Sequence, residues 1–424
     1  MLIDTLAGAP RPDKRGIIIS EAIKLFNSNG FADTRLEDIG ERLGTTKTSI
    51  SYHFKSKEGL LLEVYDNALD FSETALKEAE SLPSGREAIL YWVRAHAFAH
   101  ARALSGIAAP LALISEFPQL GNDALTAVEA RHRALLTRCR EFLLAGRKDG
   151  SVNVRSVDAT HFYLMNVIHW LPRWLSEVRP ADYEQAIGGL IDVLTHGLSA
   201  TPNRPPAPPI IRSVHQDLDA VFDRDAHNRM KREALLRTGT RALNTHGFRN
   251  LSLNDVAAEL GVTRGAFYYH FSDKEALLKG CFERSCDLVE AAQHYARKDG
   301  STGLDILERA LRHLFEGQVS NLDPLVRVNL LGALEPKSRI LIEAKLKRLK
   351  SEFADIIAMG MVDDSMRTLE LAASEQLVMG AIFAGNQRRF AFTRPDETGA
   401  DTAPSFAAND YFEVLFHGLE GRKA

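Results

Sequence analysis

Cysteine is scarce in this chain. There are three among 424 residues, Cys139, Cys281 and Cys286, and their positions show no metal-ligand spacing. An odd number of isolated thiols argues against a disulfide framework and favours the reduced state. No apolar run reaches the roughly 18 residues that a membrane span needs, and the N-terminal stretch has no apolar core of secretory type. We therefore expect a cytoplasmic protein that makes no contact with a membrane.

Sequence signatures of catalysis are missing as well. The chain contains no Gly-rich phosphate loop, no H-E-x-x-H and no G-x-S-x-G, so we expect neither an enzyme nor a bound cofactor or metal. The net charge of −4 excludes a surface that is basic throughout. A local basic patch is still compatible with nucleic-acid binding, because distribution matters more than the sum.

What the sequence does contain is a repeat. Residues 45–60 read TTKTSISYHFKSKEGL, residues 262–277 read VTRGAFYYHFSDKEAL, and both include the tail Y-H-F-x-x-K-E-x-L. The same offset separates further matched residues: Gly30 and Gly247, Phe31 and Phe248, Leu43 and Leu260. A constant offset over dozens of residues indicates that a whole unit has been duplicated. In both copies basic residues outnumber acidic ones, although the chain as a whole is acidic.

The pattern outside the motif predicts an all-α fold in two units. Apolar residues recur at three- and four-residue spacing in both halves, which is typical of amphipathic helices. The stretch SATPNRPPAPPI (199–210) holds five prolines, so we expect an extended linker there. The predicted domains are a first DNA-binding domain (1–60), a first helical regulatory domain (61–200), a linker (201–225), a second DNA-binding domain (226–278) and a second helical regulatory domain (279–424).

Each copy of the repeat has the layout of a helix-turn-helix. A first helix ends at Gly30 or Gly247, where glycine can cap the C-terminus. A short helix, a tight turn at Gly44 or Gly261 and a second short helix follow. In such a motif the second helix enters the DNA major groove.

The motif A-x-x-L-F-x-x-x-G-F … I-x-x-x-L-G … Y-H-F-x-x-K-E-x-L resembles the DNA-binding domain of the TetR/AcrR family of bacterial repressors. The first copy carries it at Ala22, Leu25, Phe26, Gly30, Phe31, Ile39, Leu43, Gly44, Tyr52, Phe54, Lys57, Glu58 and Leu60. The second carries it at Gly247, Phe248, Val256, Leu260, Gly261, Tyr269, Phe271, Lys274, Glu275 and Leu277. The resemblance implies that a helical ligand-binding and dimerisation domain follows each copy.

The chemistry of the side chains assigns roles within each copy. On the second helix, polar and basic side chains opposite the apolar face are placed to read base edges. Tyrosine, histidine and lysine around the end of that helix are suited to phosphate oxygens, which position a domain on DNA. The predicted DNA contacts of the first copy are Thr46, Lys47, Thr48, Ser49, Tyr52, His53 and Lys57. Those of the second are Thr263, Arg264, Gly265, Tyr268, Tyr269, His270 and Lys274.

Candidate effector contacts lie in the first regulatory half. Trp92, His96 and His100 share one helical stripe, and His169, Trp170 and Trp174 form a second cluster. Both sets suit an aromatic or acidic small molecule, and both are equally compatible with a purely structural role. The resemblance further implies dimerisation through the last long helices of each unit, here about 157–178 with 181–199, and about 365–389 with 406–421.

The resulting hypothesis is a ligand-responsive DNA-binding regulator whose two halves pair as an intramolecular pseudo-dimer. Because the reading residues differ between the copies, we expect an operator with unlike half-sites. Two alternatives remain open from the sequence: a dimer of chains that presents four DNA-binding domains, and a helical sensor in which one DNA-binding domain is degenerate.

Overall fold

The structure is a computed structural model that describes residues 13–114, 123–201, 206–207, 224–383 and 407–420, with only the backbone for 224–227. Within these ranges the regular elements are helices, accompanied by one isolated antiparallel bridge between Ser199 and Met366. The predicted all-α fold is confirmed. No helix in the described ranges is long and apolar enough to cross a membrane.

The chain divides into two compact units. The first comprises residues 1–204 together with 366–424, and the second comprises residues 205–365. The C-terminal segment therefore belongs to the unit built by the first half. The predicted domain boundaries stay predictions, and the linker 201–225 lies largely outside the described residues.

The helices of the two units follow the same order. Those of the first unit are α1 (Lys14–Asn29), α2 (Leu36–Arg42), α3 (Lys47–His53), α4 (Lys57–Ala79), α5 (Gly85–Leu104), α6 (Asp123–Asp149), α7 (Val157–Leu175) and α8 (Tyr183–His196). Those of the second unit are α9 (Arg224–His246), α10 (Leu253–Glu259), α11 (Arg264–His270), α12 (Lys274–Asp299), α13 (Gly303–Val319) and α14 (Pro336–Val362). The C-terminal segment adds α15 (Leu371–Phe383), α16 (Ala408–Tyr411) and α17 (Glu413–His417) to the first unit.

A shared packing contact shows that the structural repeat extends into the regulatory helices. The start of α5 lies against α6, where a Cβ on Gly85 would meet the nitrogen of Gly146 at 2.2 Å. Asp149 accepts a hydrogen bond from the Gly85 amide at 2.9 Å. In the second unit Gly303, Gly360 and Asp363 make the same contacts, with a hydrogen bond of 2.7 Å. Only glycine allows two helices to approach this closely.

The turn after α8 and the turn after α17 exchange backbone hydrogen bonds reciprocally. Each turn has the sequence His-Gly-Leu, at 196–198 and at 417–419. The bonds form matched pairs: Leu198 N to Leu415 O (3.0 Å) with Leu419 N to Leu194 O (2.8 Å), and Ser199 N to Phe416 O (2.9 Å) with Glu420 N to Thr195 O (3.1 Å). A third pair joins Asn153 N to Leu419 O (2.9 Å) and Arg367 N to Leu198 O (3.1 Å).

Two glycines allow these turns to cross. Gly197 has φ 75° and Gly418 has φ 70°, values that side chains other than glycine rarely adopt. A Cβ on Gly197 would meet the nitrogen of His417 at 2.4 Å, and one on Gly418 would meet the Thr195 carbonyl oxygen at 2.1 Å. The repeated His-Gly-Leu was a signal for this crossing that the motif analysis did not use.

Candidate nucleic-acid interface and effector cavity

The first helix-turn-helix is shaped by its capping groups. Helix α1 ends at Gly30, whose φ of 82° requires glycine, and Gly44 takes φ 63° in the turn between α2 and α3. The Thr46 hydroxyl caps α3 by accepting from the Ser49 amide. Asp38 accepts from the Arg35 amide at 2.7 Å, which makes it a capping group of α2. These bonds orient α3 for its role because they fix the turn that precedes it.

The predicted reading face of α3 is exposed. Ile50 is fully buried and anchors the helix, whereas the residues on the outer face are open to solvent: Thr46, Lys47, Thr48 and Ser49. The Lys47 ammonium lies 2.8 Å from a Glu37 carboxylate oxygen on α2. That hydrogen bond lowers the pKa of Glu37. Lys47 is therefore held in place by a neighbouring carboxylate in the DNA-free protein.

The second copy presents a similar face with different groups. Phe267 is buried and anchors α11, and the Thr263 hydroxyl caps it by accepting from the Ala266 amide. The outer face carries Thr263, Arg264, Gly265 and Ala266, all exposed. The Arg264 guanidinium lies 5.4 Å from the Tyr268 ring centroid. At the position matching Glu37 stands Asn254, so this copy has no equivalent carboxylate there.

The tyrosines after the reading residues are among the most exposed large side chains described. Tyr52 is 86% exposed and Tyr269 is 75% exposed, which suits contacts to a partner better than packing in a core. Each ring meets the neighbouring histidine edge-on, Tyr52 with His53 at 5.2 Å and Tyr269 with His270 at 5.1 Å. Partial burial, followed by the charges of Arg232 and Lys231, lowers the pKa of His270.

The structure places the two motif lysines differently from the expectation. The Lys57 ammonium donates to the carbonyl oxygens of Phe31 (2.8 Å) and Thr34 (2.9 Å), and Lys274 donates to the Arg249 carbonyl oxygen at 3.1 Å. Both ammonium groups thus tie the long helix to the loop after the first helix. Their predicted role at phosphate stays a prediction, and their observed role is structural.

An exposed basic residue beside the motif escaped the sequence reasoning. Lys55 lies between α3 and α4 and is exposed, whereas Lys57 is half-buried. The shared tail Y-H-F-x-x-K-E-x-L includes Lys57 but not Lys55, since the second copy has Ser272 at that position. The Lys55 side chain is more accessible to solvent than that of Lys57.

Four of the six predicted effector contacts line one cavity of about 50 Å³ in the first unit. These are Trp92, His96, His100 and His169. Sequence reasoning missed two polar members of the lining, Ser72 on α4 and His132 on α6. The non-helical segment 111–114 closes another side of the cavity. Trp92 Nε1 and His100 Nε2 are buried and find no hydrogen-bond partner in the described part of the chain.

The other two predicted contacts lie elsewhere. The Trp170 indole nitrogen donates to Gln376 at 3.0 Å, and its ring fills the space beside Gly380 on α15. Trp174 is buried and is not part of the cavity lining. Neighbouring residues of a helix point about 100° apart. His169 can therefore face the cavity while Trp170 faces α15.

Burial keeps the cavity histidines neutral near pH 7. It lowers the pKa of His96 to about 4 and those of His100 and His132 to about 3. His96 Nδ1 lies 2.9 Å from the Trp92 carbonyl oxygen and must carry the hydrogen, so Nε2 accepts from the Ser72 hydroxyl at 3.0 Å. Among the described lining residues, the cavity thus has polar walls and no fixed charge.

An asparagine in each unit joins the segment that follows α5 or α13 to the helix that precedes the helix-turn-helix. Asn27 donates to the Leu111 carbonyl oxygen at 2.9 Å and accepts from the Leu113 amide at 2.8 Å. Asn244 makes the corresponding bonds to Leu325 (2.8 Å) and Arg327 (3.0 Å). In the first unit the clamped segment is the same one that walls the histidine cavity.

A family model matches this chain in the two motif regions, and known proteins match over short segments. The family model described as "Bacterial regulatory proteins, tetR family" matches residues 18–64 and again residues 235–281. The HTH-type transcriptional regulator RutR of Escherichia coli K12 is 42% identical over 64 residues, which is 15% of this chain and 30% of RutR. AcrR of Shigella flexneri is 33% identical over 90 residues, 21% of this chain and 42% of AcrR. The chain thus spans less than half the length of these two relatives.

A solved TetR-family regulator, PfmR of Thermus thermophilus, is 23% identical, with a TM-score of 0.34. That comparison covers 43% of this chain and 96% of PfmR.

Proposed function

Because this chain belongs to the TetR family and carries its DNA-binding domain twice, we propose that it is a ligand-responsive transcriptional regulator, in the simplest case a repressor. Its two halves pair with each other and place two unlike reading helices on one operator. The observation that carries this proposal is the pair of exposed, separately capped helices α3 and α11, each anchored by one buried residue, Ile50 or Phe267.

Intramolecular pairing is supported by the reciprocal bonds between the two His-Gly-Leu turns. In a two-fold interface, a contact from residue i to residue j is matched by one from j to i. The bonds around Gly197 and Gly418 follow that rule, with equivalent segments of one chain in place of two subunits. A tether also raises the effective concentration of the partner half, which favours pairing within the chain over pairing between chains.

Unlike half-sites follow from the composition of the two reading faces. Lys47, Thr48 and Ser49 offer a cation and two hydroxyl groups, whereas Arg264 is followed by Gly265 and Ala266, which carry no polar side chain. Arginine can donate two hydrogen bonds to guanine, while hydroxyl groups adapt to several bases. The first copy should read several base pairs, and the second should depend on Arg264 and on phosphate contacts.

Ligand response is supported by the arrangement of the histidine cavity and the Asn27 clamp. A ligand acts on DNA affinity only if it binds two states of the protein unequally. A ligand in the cavity contacts the segment 111–114, which is the non-helical part of the described wall, and can shift it. Since that segment is bonded to Asn27 on α1, its displacement would alter how the DNA-binding domain is held.

The proposal is tested by fluorescence anisotropy on DNA fragments from the region upstream of the protein's own gene, at two salt concentrations. We expect binding that weakens steeply with salt, because phosphate contacts release counterions. Binding that is absent on every fragment, or insensitive to salt, would contradict it.

The Lys47→Ala and Arg264→Ala changes should each lower operator affinity, by about five- to a hundredfold. If Arg264→Ala leaves affinity unchanged, the second copy is not a reader. Light scattering at low concentration distinguishes one chain per operator from two.

A further inference from the structure

The described lining of the histidine cavity in the first unit is polar and carries no fixed charge. Its lining includes four imidazoles, the Ser72 hydroxyl and the Trp92 indole, among aliphatic side chains such as Leu135 and Ile168. His100 is 3% exposed and Trp92 is 2% exposed, and each has a ring nitrogen without a hydrogen-bond partner in the described residues. Buried polar atoms of this kind cost stability, so a ligand that satisfies them gains in affinity.

His169 is placed to hold a proton when the cavity is occupied. Its Nδ1 lies 2.8 Å from the Met165 carbonyl oxygen, and its Nε2 lies 3.4 Å from the Ile114 carbonyl oxygen. A neutral imidazole has one N–H and can donate to only one of these oxygens, whereas an imidazolium can donate to both. Burial lowers the pKa of His169, and the two carbonyl groups act in the opposite direction.

In the described part of the chain, the ionisable side chains that line the cavity beside His169 are themselves imidazoles. His96 and His100 face it from α5, and His132 faces it from α6. From α4 the lining contributes Ala68 and Ser72, which are not ionisable near neutral pH. The charges of Asp158 and Arg140 act on His161, further along α7. An anion brought into the cavity would therefore place a negative charge among groups that can only become positive.

Building on the proposed function, we propose that this cavity is the effector site and that it takes a small carboxylic acid together with one proton. A buried net charge is costly, so a carboxylate enters only if a proton accompanies it and leaves the occupied cavity neutral. The proton resides on His169 or on the acid itself. In either case the Trp92 N–H donates to a carboxyl oxygen; His100 Nε2 donates to the carboxylate in its Nε2–H tautomer or accepts from the O–H of the acid, and no bond is made or broken apart from those to the proton.

The size of the cavity restricts the acid to a short carbon chain. Its volume of about 50 Å³ is well below the roughly 150 Å³ of a cavity that holds benzene. Three or more ligating side chains in an arrangement suited to a metal are absent from the described residues, which favours an organic acid over a metal ion. The cation at His169 would also strengthen the hydrogen bond to Ile114, and so link occupancy to the segment clamped by Asn27.

The second unit does not repeat this chemistry. Counting from the matched glycines Gly85 and Gly303, residues Ala310, Leu314 and Gln318 stand where the first unit has Trp92, His96 and His100. Counting from Gly146 and Gly360, Leu346 stands where the first unit has His132. The acid site is therefore a property of one half of the chain.

The test measures binding of propanoate and of its uncharged analogue propanamide to the full chain by titration calorimetry. We expect propanoate to bind with uptake of about one proton, seen as a dependence of the heat on the buffer's ionisation enthalpy. Its affinity should fall by about tenfold per pH unit between pH 6 and pH 8, while that of propanamide should be weaker and independent of pH. Equal binding of the two compounds, or a flat pH profile for propanoate, would overturn the proposal.

Variants supply a second readout. His100→Leu should abolish propanoate binding, and Gln318→Leu, the matched change in the second unit, should leave it intact. Should His100→Leu fail to fold, the proton count on the unmodified chain decides by itself.

Operator binding is measured separately. Operator binding with no propanoate binding overturns only the acid site, and propanoate binding with no operator binding overturns only the regulator.

Discussion

At the scale of single residues, burial of histidine is the most consequential feature of the first unit. His161 on α7 is fully buried, and burial lowers its pKa to about 3. The folded protein therefore holds it neutral, whereas the unfolded chain protonates it below about pH 6.5. The contribution of His161 to the free energy of unfolding should be fully present above that pH and should be lost as the pH falls from about 6.5 toward 3.

This gives a prediction for His161→Phe. Between pH 7 and pH 5 each buried histidine adds up to about 1.4 kcal/mol per pH unit to the slope of the unfolding free energy. Replacing His161 should flatten that slope, whatever it does to stability at pH 7. Urea denaturation at several pH values measures it. His294→Gln, at an exposed position on α12, should keep the wild-type slope, and an unchanged slope in His161→Phe would show that His161 does not titrate as described.

Single residues also show where sequence reasoning reaches its limit. The exposed face of α3 could be predicted because Ile50 marks the buried face and the helical period places Lys47 and Ser49 outside it; their role in reading bases stays a prediction. The hydrogen-bond partners of Lys57 could not be predicted. They are the backbone carbonyl groups of Phe31 and Thr34, and because every residue has a carbonyl group, the sequence does not distinguish these two.

At the scale of elements, a short non-helical segment joins the longer helices of the first unit to its helix-turn-helix. The segment 111–114 is bonded to α1 through Asn27 and to α7 through His169. It thus lies between the cavity and the helix-turn-helix, and under the proposed function these hydrogen bonds are the contacts that would couple the two.

Asn27→Ala should uncouple these parts in the first half only. Loss of two hydrogen bonds should cost about 1–2 kcal/mol and should speed hydrogen exchange at the Leu113 amide and along α1. Hydrogen-exchange mass spectrometry measures both. Asn244→Ala is the matched control and should affect residues 325–327 and α9 instead. Faster exchange in the second half after Asn27→Ala would contradict an independent clamp in each half.

The repeat in the sequence predicts the positions of the helix-turn-helix elements but not how the longer helices pack. Helix-turn-helix positions followed from glycine, apolar spacing and the shared tail. The division of α7 between two faces did not, because His169 and Trp170 belong to one aromatic cluster in the sequence and separate only when α15 packs against the helix. Tertiary contacts between distant segments decide such cases.

At the scale of the whole molecule, backbone hydrogen bonds join residues 194–199 to residues 415–420 where the two His-Gly-Leu turns cross, and the proposed pairing of the halves would depend on this crossing. Gly197→Val should weaken this crossing, because its φ of 75° disfavours a β-branched residue and a Cβ would lie 2.4 Å from the nitrogen of His417. We expect a loss of the affinity advantage of DNA with two half-sites over DNA with one. The cost to stability should be about 1–3 kcal/mol.

Anisotropy on one-site and two-site DNA measures that advantage. Gly188→Ala is the control, since it lies within α8 and an added Cβ meets nothing within 4 Å. This change should leave the advantage intact and should stabilise the helix slightly. If Gly197→Val retains the full advantage of two-site DNA, pairing does not depend on the crossing.

The crossing of the two glycine-containing turns would also affect how operator occupancy depends on protein concentration. The reciprocal bonds at 194–199 and 415–420 join residues of one polypeptide, so they form without a second molecule and do not dissociate on dilution. A repressor assembled from separate subunits loses its dimer at low copy number, and its operator occupancy then rises with the square of the protein concentration. For a self-paired chain, occupancy would rise with the first power. A few molecules per cell would then suffice for a graded response.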